Sequence, residues 1–156
     1  MRDLHSDKDG AWMTHYPAHD EIIPLGEVGI HGSGTDLAIV TYGNGTFLSR
    51  QALPQLAAAG IQTRIIDLRW LAPLPVDALV RATAGCQNIL IVDECRHSGG
   101  PAEALMAFYT EHTRTPHARI TAKDSFIATG PAYAATLPSV SQIVEAATAL
   151  VSKPKA

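Results

Sequence analysis

Acidic residues follow two of the apolar runs in this chain. Asp93 and Glu94 come directly after one such run, and Asp67 closes an earlier one. Because ligands bind outside the carboxyl ends of strands in open α/β sheets, these side chains are candidates for a small-molecule site. In the alternative interpretation, one carboxylate of the Asp93 and Glu94 pair accepts hydrogen bonds from turn amides and the other pairs with Arg96. We favour this structural interpretation.

Cys95 lies two residues before His97, which suggests a thiolate next to a base. However, residues two apart on a loop need not face each other, and a catalytic cysteine also needs a third group that orients the base. The simpler interpretation is a half-buried thiol at the end of a strand. An independent enzyme built on Cys95 and His97 is therefore the weakest functional hypothesis.

Glycines precede two of the predicted helices and could leave backbone amides free for an anion. Two of them stand directly before Pro101, and residues 43–45 precede an earlier helix. Neither segment completes a phosphate-binding motif, and tight turns from strand to helix need glycine in any case. The candidate small-anion site, which includes the free amides of residues 99–102, contains Asp93, Glu94, Gly99 and Gly100.

Seven histidines raise the question of a metal site. His15 and His19 are four residues apart, but Pro17 between them argues against a helix, and no glutamate follows His15 as a zinc-protease motif requires. The sequence therefore predicts solvated or turn histidines and no metal ligand.

Apolar runs alternate with helical patterns along most of the chain. Strands are predicted at residues 37–42, 63–68, 89–93 and 119–122, with a short edge strand near 26–30. Helices are predicted from a Thr46 cap to Gly60, from Pro75 to Gly85, from Pro101, and after a capping box of Ser139 and Gln142. Pro54 predicts a kink in the first helix or a later start for it. Alternation of this kind requires crossover connections, which favour a mainly parallel sheet covered by helices on both faces.

The 156 residues fit one domain. We expect an extended N-terminal arm with the edge strand at residues 1–35, an α/β domain at 36–152 and a frayed tail at 153–156. A net charge of -3 without a basic run predicts neither a nucleic-acid nor a membrane partner. The first residues have no apolar core of the kind a signal peptide needs, and the two cysteines suit a reducing compartment, so we expect a cytoplasmic protein.

Several segments, in this order and spacing, carry a family resemblance. The most informative is Asp67-Leu68-Arg69-Trp70-Leu71-Ala72-Pro73-Leu74, and the others are at residues 8–12, 23–26, 37–45, 92–96, 98–100, 123–127, 130–131 and 137–139. With these segments the chain resembles the C-terminal domain of the beta subunit of thiamine-diphosphate-dependent 2-oxoacid dehydrogenases, the E1 component. The domain is of the transketolase C-terminal type.

The resemblance implies a three-layer α/β/α sandwich with a mainly parallel sheet and one antiparallel edge strand. It also implies that thiamine diphosphate and magnesium are bound by other domains of the complete enzyme, so no catalytic, cofactor-binding or metal-binding residue is assigned here. The implied role is assembly, as a homodimer and with the remaining E1 domains or the alpha subunit, and in some relatives with the acyltransferase (E2) component. The chain alone is expected to be inactive. An excised domain, a split gene and a remnant all fit, and the 2-oxoacid stays open.

Two further interpretations depend on surfaces. A free-standing ligand-binding module would use the strand ends at Asp67, Asp93 and Glu94. The segment at residues 123–137 carries apolar side chains without periodicity, and they either join an interaction surface or pack over the edge of their own sheet. The residues of this possible surface are Phe126, Ile127, Pro131, Tyr133 and Leu137, together with Trp12, Tyr16 and Trp70.

Overall fold

Strands and helices alternate through the computed structural model, which describes residues 19–20 and 22–153. His15, Trp12 and Tyr16 lie outside the described residues, as does most of the predicted tail. The elements are β1 (Gly29–His31), β2 (Leu37–Thr41), α1 (Asn44–Ala58), β3 (Thr63–Asp67), α2 (Val76–Thr83), β4 (Ile89–Arg96), α3 (Pro101–His112), β5 (His117–Ala122), a 3-10 helix (Gly130–Ala135) and α4 (Val140–Val151).

The five strands form one sheet in the order β1-β3-β2-β4-β5. Strand β1 runs antiparallel to β3, and every other neighbouring pair is parallel. The predicted antiparallel edge strand is confirmed, although it begins three residues later than expected. Strand β2 has β3 on one side and β4 on the other, so the chain reverses its winding direction between β2 and β4. This point is a topological switch point.

Helices cover both faces of the sheet, because the central strands are apolar on both sides. On one face, Ala38 and Val40 pack with residues of α2 and α3 such as Leu79 and Leu105. On the other face, Leu37 and Ile39 pack with residues of α1 and α4. All of β2 is buried. The predicted three-layer α/β/α sandwich is confirmed.

Helix α1 corrects the predicted cap and rules out the later helix start, one of the two alternatives for Pro54. Gly43, not Thr46, precedes the helix, and its φ of 53° with ψ of -130° is a backbone conformation that favours glycine. Pro54 lies inside the helix, so the helix does not begin after it. Pro54 and Arg50, one turn earlier, are both exposed. The Arg50 carbonyl that loses its helical partner can therefore bond water.

Helix α4 begins at the predicted capping box, in which Ser139 and Gln142 bond each other's backbone N–H groups. The stretch Gly130–Val151 is long and apolar enough for a membrane span, with a mean hydropathy of 1.2. It contains two separate helices, however, and α4 itself has 12 residues, whereas a span needs about 20. Ile143, Ala147 and Leu150 are buried against the sheet, so α4 is a core helix of the domain.

Candidate functional site

Two of the predicted site residues, Asp93 and Glu94, lie at the switch point between β2 and β4. Asp93 makes most of the hydrogen bonds there. The Asp93 side chain is fully buried. Its Oδ1 accepts hydrogen bonds from the Tyr42 hydroxyl at 2.6 Å and from the Cys95 amide at 2.7 Å, and its Oδ2 accepts one from the Ala102 amide at 2.8 Å. Asp93 therefore holds β2, the end of β4 and the first turn of α3 together.

Tyr42 is suited to its role as the donor in this cluster. Burial raises the pKa of the Tyr42 phenol, and the hydrogen bond to Asp93 raises it further. The phenol therefore keeps its proton at neutral pH and donates a hydrogen bond to the carboxylate.

Glu94 points to a different partner. Its Oε1 accepts a hydrogen bond from Nδ2 of Asn44, at the start of α1. Burial raises the pKa of Glu94, and the Asn44 bond partly opposes that shift. The predicted pairing of Glu94 with Arg96 is wrong, because Arg96 Nε donates instead to the Ser98 carbonyl at 2.9 Å. The other half of the structural interpretation is confirmed by the amide bonds to Asp93.

Asp67 is not part of this cluster. It accepts a bond from Arg69 Nε at 3.2 Å, and the guanidinium lies so close to Gly29 that a Cβ there would meet Nε at 2.7 Å. Asp67 therefore fixes the turn after β3 against β1. Because β2 separates β3 from β4, Asp67 is two strand spacings, about 9–10 Å, from the Asp93 strand.

The helix end proposed for a small anion already holds a carboxylate. Pro101 has no amide hydrogen, and the Ala102 amide is bonded to Asp93. The next amide, that of Glu103, bonds the Gly100 carbonyl at 3.0 Å. A second anion at the amides of Gly99 and Gly100 would meet the Asp93 charge, so the geometry disfavours the predicted anion site without testing it directly.

The structure does not bring Cys95 and His97 together. Both ring nitrogens of His97 have other partners: Nδ1 lies 3.1 Å from the Thr121 hydroxyl, and Nε2 lies 3.1 Å from Nη2 of Arg119. Cys95 forms no disulfide and is exposed, so the prediction of a half-buried thiol is wrong. Its side chain lies next to the Tyr42 hydroxyl. A thiolate and base pair is therefore excluded in this arrangement.

The sequence did not reveal a cavity at the β5 edge of the sheet. It lies between β5 and α4, with a volume of about 510 Å³. Its polar lining residues are His97, Arg119, Thr121, Gln142 and Glu145, and its apolar lining residues are Ile120, Pro138, Ala146 and Ala149. The spacing of 142, 145, 146 and 149 along α4 is that of one helix face, a signal present in the sequence.

The described part of the chain contains no group of three or more His, Cys, Asp or Glu side chains that could hold a metal ion. His19 is described, but it has no such neighbours. The strand-end carboxylates that a divalent cation could otherwise use bond protein donors instead.

The mainly parallel sheet, its antiparallel edge strand and the two helical layers define a three-layer α/β/α domain. Residues 26–143 match the family described as "Transketolase, C-terminal domain". The chain therefore belongs to the transketolase C-terminal domain family, as the motif at residues 67–74 predicted.

Two curated relatives extend this assignment. The chain is 30% identical to the 2-oxoisovalerate dehydrogenase subunit beta of Bacillus subtilis over 96 residues, which are 62% of this chain and 29% of the relative. It is 27% identical to the pyruvate dehydrogenase E1 component subunit beta of Bacillus subtilis over 141 residues, 88% of this chain and 43% of the relative. The chain thus spans less than half the length of these relatives.

Among solved structures, the chain is similar to a protein described as "Split gene transketolase, inactive beta4 tetramer". The TM-score is 0.76 at 21% identity, with 88% of this chain and 45% of that chain covered. This similarity supports the fold.

Proposed function

We propose that the chain is the C-terminal assembly domain of a 2-oxoacid dehydrogenase E1 subunit of the beta type. It supports subunit association in the oxidative decarboxylation of a 2-oxoacid and does not catalyse the reaction itself. The two curated relatives are named as beta subunits of such enzymes. The strand ends at Asp93 and Glu94 fit this proposal, because both carboxylates accept hydrogen bonds from protein donors and stabilise the fold.

The observation that carries the proposal is the exposed apolar surface after β5. Phe126 is 98% exposed and Ile127 is 53% exposed. Farther along the same segment, Tyr133 and Leu137 are half-buried. The segment therefore packs on its own domain at one end and presents large apolar side chains at the other. Burial of apolar surface contributes about 25 cal/mol per Å², so a partner that covers Phe126 and Ile127 gains binding free energy.

The partner in this proposal is a second copy of the chain, with the remaining E1 domains or the alpha subunit and the E2 component as further contacts in the complete assembly. Thiamine diphosphate and magnesium would bind elsewhere in the complete enzyme. We include no cofactor-dependent step for the residues of this chain.

Light scattering of the full chain across a dilution series tests the proposal. We expect a concentration-dependent dimer, and we expect Phe126→Asp to shift dissociation to clearly higher protein concentration, because a charge replaces the exposed aromatic ring. The control is Gln51→Glu, which adds the same charge at an exposed position of α1. A wild-type chain that stays monomeric throughout, or a Phe126→Asp variant that associates like the wild type, would contradict the role of this surface.

A further inference from the structure

The cavity between β5 and α4 differs from the switch point, because one of its charged side chains, Arg119, has a buried donor without a partner among the described residues. Arg119 and Thr121 lie on β5, and Gln142 and Glu145 lie one turn apart on α4. His97 reaches the cavity from the loop after β4. The cavity therefore collects side chains from three segments that are distant in sequence.

Hydrogen bonds determine which ring nitrogen of His97 carries the proton. Arg119 can only donate, so His97 Nε2 accepts its bond at 3.1 Å. Nδ1 then carries the proton and donates to Thr121, whose hydroxyl donates to the Ala122 carbonyl at 3.0 Å. This chain of bonds satisfies His97 and Thr121 and holds the guanidinium of Arg119 at the cavity wall.

Arg119 keeps an unused donor. Its Nη1 is buried and has no acceptor among the described residues. An unpaired buried donor is unfavourable, and a small turn of the guanidinium toward an acceptor in the cavity would satisfy it. Arginine pairs best with a carboxylate, which accepts two parallel N–H bonds.

Gln142 supplies a second donor. Its Oε1 accepts the Ser139 amide at 2.9 Å in the capping box, which fixes the orientation of the side-chain amide. Gln142 is exposed, and its Nε2 group bonds none of the described residues, so it can donate two bonds to a ligand in place of water. Arg119 and Gln142 thus present only donors, as a carboxylate requires.

Glu145 supplies a negatively charged acceptor, whereas Arg119 and Gln142 supply donors. It lines the same cavity, and no ion pair within 4.0 Å joins it to Arg119 in the described part of the chain. Its carboxylate is available for a cation. Ala146 and Ala149 continue the same face of α4 with small apolar side chains, and Ile120 of β5 lines the same cavity.

The geometry points to a binding site for a free α-amino acid with an aliphatic side chain. Arg119 and Gln142 bind its carboxylate, Glu145 binds its ammonium group, and Ile120, Ala146 and Ala149 contact its side chain. The site is independent of the proposed assembly function, and ligand titration tests one while light scattering tests the other.

Three matched probes test the site on the full chain. L-leucine carries both charges, 4-methylpentanoate lacks the ammonium group, and 3-methylbutylamine lacks the carboxylate. We expect L-leucine to raise the melting temperature and to shift the backbone amide resonances of Thr121 and Ala146. Each partial analogue should bind about tenfold more weakly or worse, because one charged contact is lost.

Substitutions test which side chain contacts the carboxylate of the ligand and which contacts its ammonium group. Arg119→Met should abolish the response to L-leucine while the variant keeps its own melting transition, and Glu145→Gln should reduce L-leucine binding to the level of 4-methylpentanoate. Glu103→Gln, at an exposed position of α3, is the control and should bind like the wild type. The inference is overturned if L-leucine has no effect on the wild type, if 4-methylpentanoate binds as tightly as L-leucine, or if Arg119→Met still responds.

Discussion

The switch point between β2 and β4 and the cavity between β5 and α4 both contain polar side chains. Those at the switch point have hydrogen-bond partners in the protein, whereas some of those at the cavity have none among the described residues. At the switch point, each carboxylate of Asp93 and Glu94 accepts bonds from the protein itself. At the cavity, Nη1 of Arg119 is buried without an acceptor among the described residues, and the exposed Nε2 group of Gln142 bonds none of them. A position at the carboxyl end of a strand is therefore not enough to define a site. What distinguishes the two regions is whether the polar groups are already satisfied.

Burial explains the difference. Asp93 is inaccessible to solvent, and an ionised carboxylate in that environment is tolerated only when protein donors replace its water. At the cavity, Gln142 and Glu145 are exposed, so water can bond them until a ligand displaces it, whereas Nη1 of Arg119 is buried and is out of reach of water.

One loop joins the two regions. Ser98 donates from its amide at 2.9 Å and from its hydroxyl at 2.6 Å to the carboxylate of Asp124. These bonds, the hydroxyl first, lower the pKa of Asp124. They tie the segment that carries His97 to the chain after β5, so they help to hold His97 against Arg119.

The largest effect is expected from Asp93→Ala. Three donors lose their acceptor, including the Ala102 amide in the first turn of α3, and we expect the free energy of unfolding to fall by about 3–5 kcal/mol. Urea unfolding at neutral pH measures it. Asp93→Asn keeps one acceptor oxygen and should lose less.

Glu103→Ala is the matched control, because it removes a carboxylate from the first turn of α3, the turn that Asp93 bonds, at an exposed position. It should cost less than about 1 kcal/mol. Equal losses for Asp93→Ala and Glu103→Ala would show that the buried bonds at the switch point are not what stabilises this region.

A second prediction concerns the tight packing around Gly100. A Cβ at this position would lie 2.8 Å from the Arg96 carbonyl oxygen and 3.3 Å from Oδ2 of Asp93. Gly100→Ala must therefore displace the backbone or the Asp93 carboxylate, and it should destabilise the domain by about 1–3 kcal/mol. Thermal unfolding of the full chain measures the change. A variant as stable as the wild type would mean that the loop before α3 adjusts freely.

Glu94→Gln gives a third prediction, which depends on pH. Burial raises the pKa of Glu94 above its ordinary value of 4.5, so the folded state keeps the proton to higher pH than the unfolded chain. The contribution of Glu94 to the free energy of unfolding is therefore fully present below pH 4.5, and it is lost as the pH rises through the pKa of Glu94 in the folded state. Glutamine cannot ionise and can still accept the Asn44 bond. The variant should be the more stable one at neutral pH, by less than about 1 kcal/mol because the side chain is only half-buried.

Urea unfolding at acidic and neutral pH checks the sign. The stability advantage of Glu94→Gln should grow from acidic to neutral pH, whereas Glu103→Gln, at an exposed position, should follow the wild-type profile. Parallel profiles for Glu94→Gln and the wild type would contradict the burial of the Glu94 charge.

Local patterns predicted most of the fold. The apolar run of β2 indicated a strand buried on both faces, and Ser139 with Gln142 indicated the start of α4, because both signals lie within a few neighbouring residues. Strand β4 extends to Arg96, three residues beyond the prediction. These last residues are polar, and Arg96 pairs with Ala122 of β5 after a register shift. Such pairing depends on a distant strand and has no local signal.

The sites could be predicted only in part. The position of Asp93 and Glu94 indicated where β4 ends, but not that Tyr42 and Asn44, about fifty residues earlier, would satisfy them. His97 was judged by its neighbour Cys95, whereas its partners lie more than twenty residues away on β5. Residue types show what chemistry is available, and long-range pairing decides whether the groups are used.

The smallest effect is expected at the cavity, where Arg119→Met separates binding from stability. Methionine keeps the apolar stem of the side chain and removes a buried nitrogen that has no acceptor among the described residues. The loss of the bond to His97 is offset by the loss of that unpaired donor, so the free energy of unfolding should change by less than about 0.5 kcal/mol. Urea unfolding without ligand measures this change. A loss as large as that of Asp93→Ala would mean that Arg119 stabilises the fold as Asp93 does, and the contrast between the satisfied and the unsatisfied region would no longer hold.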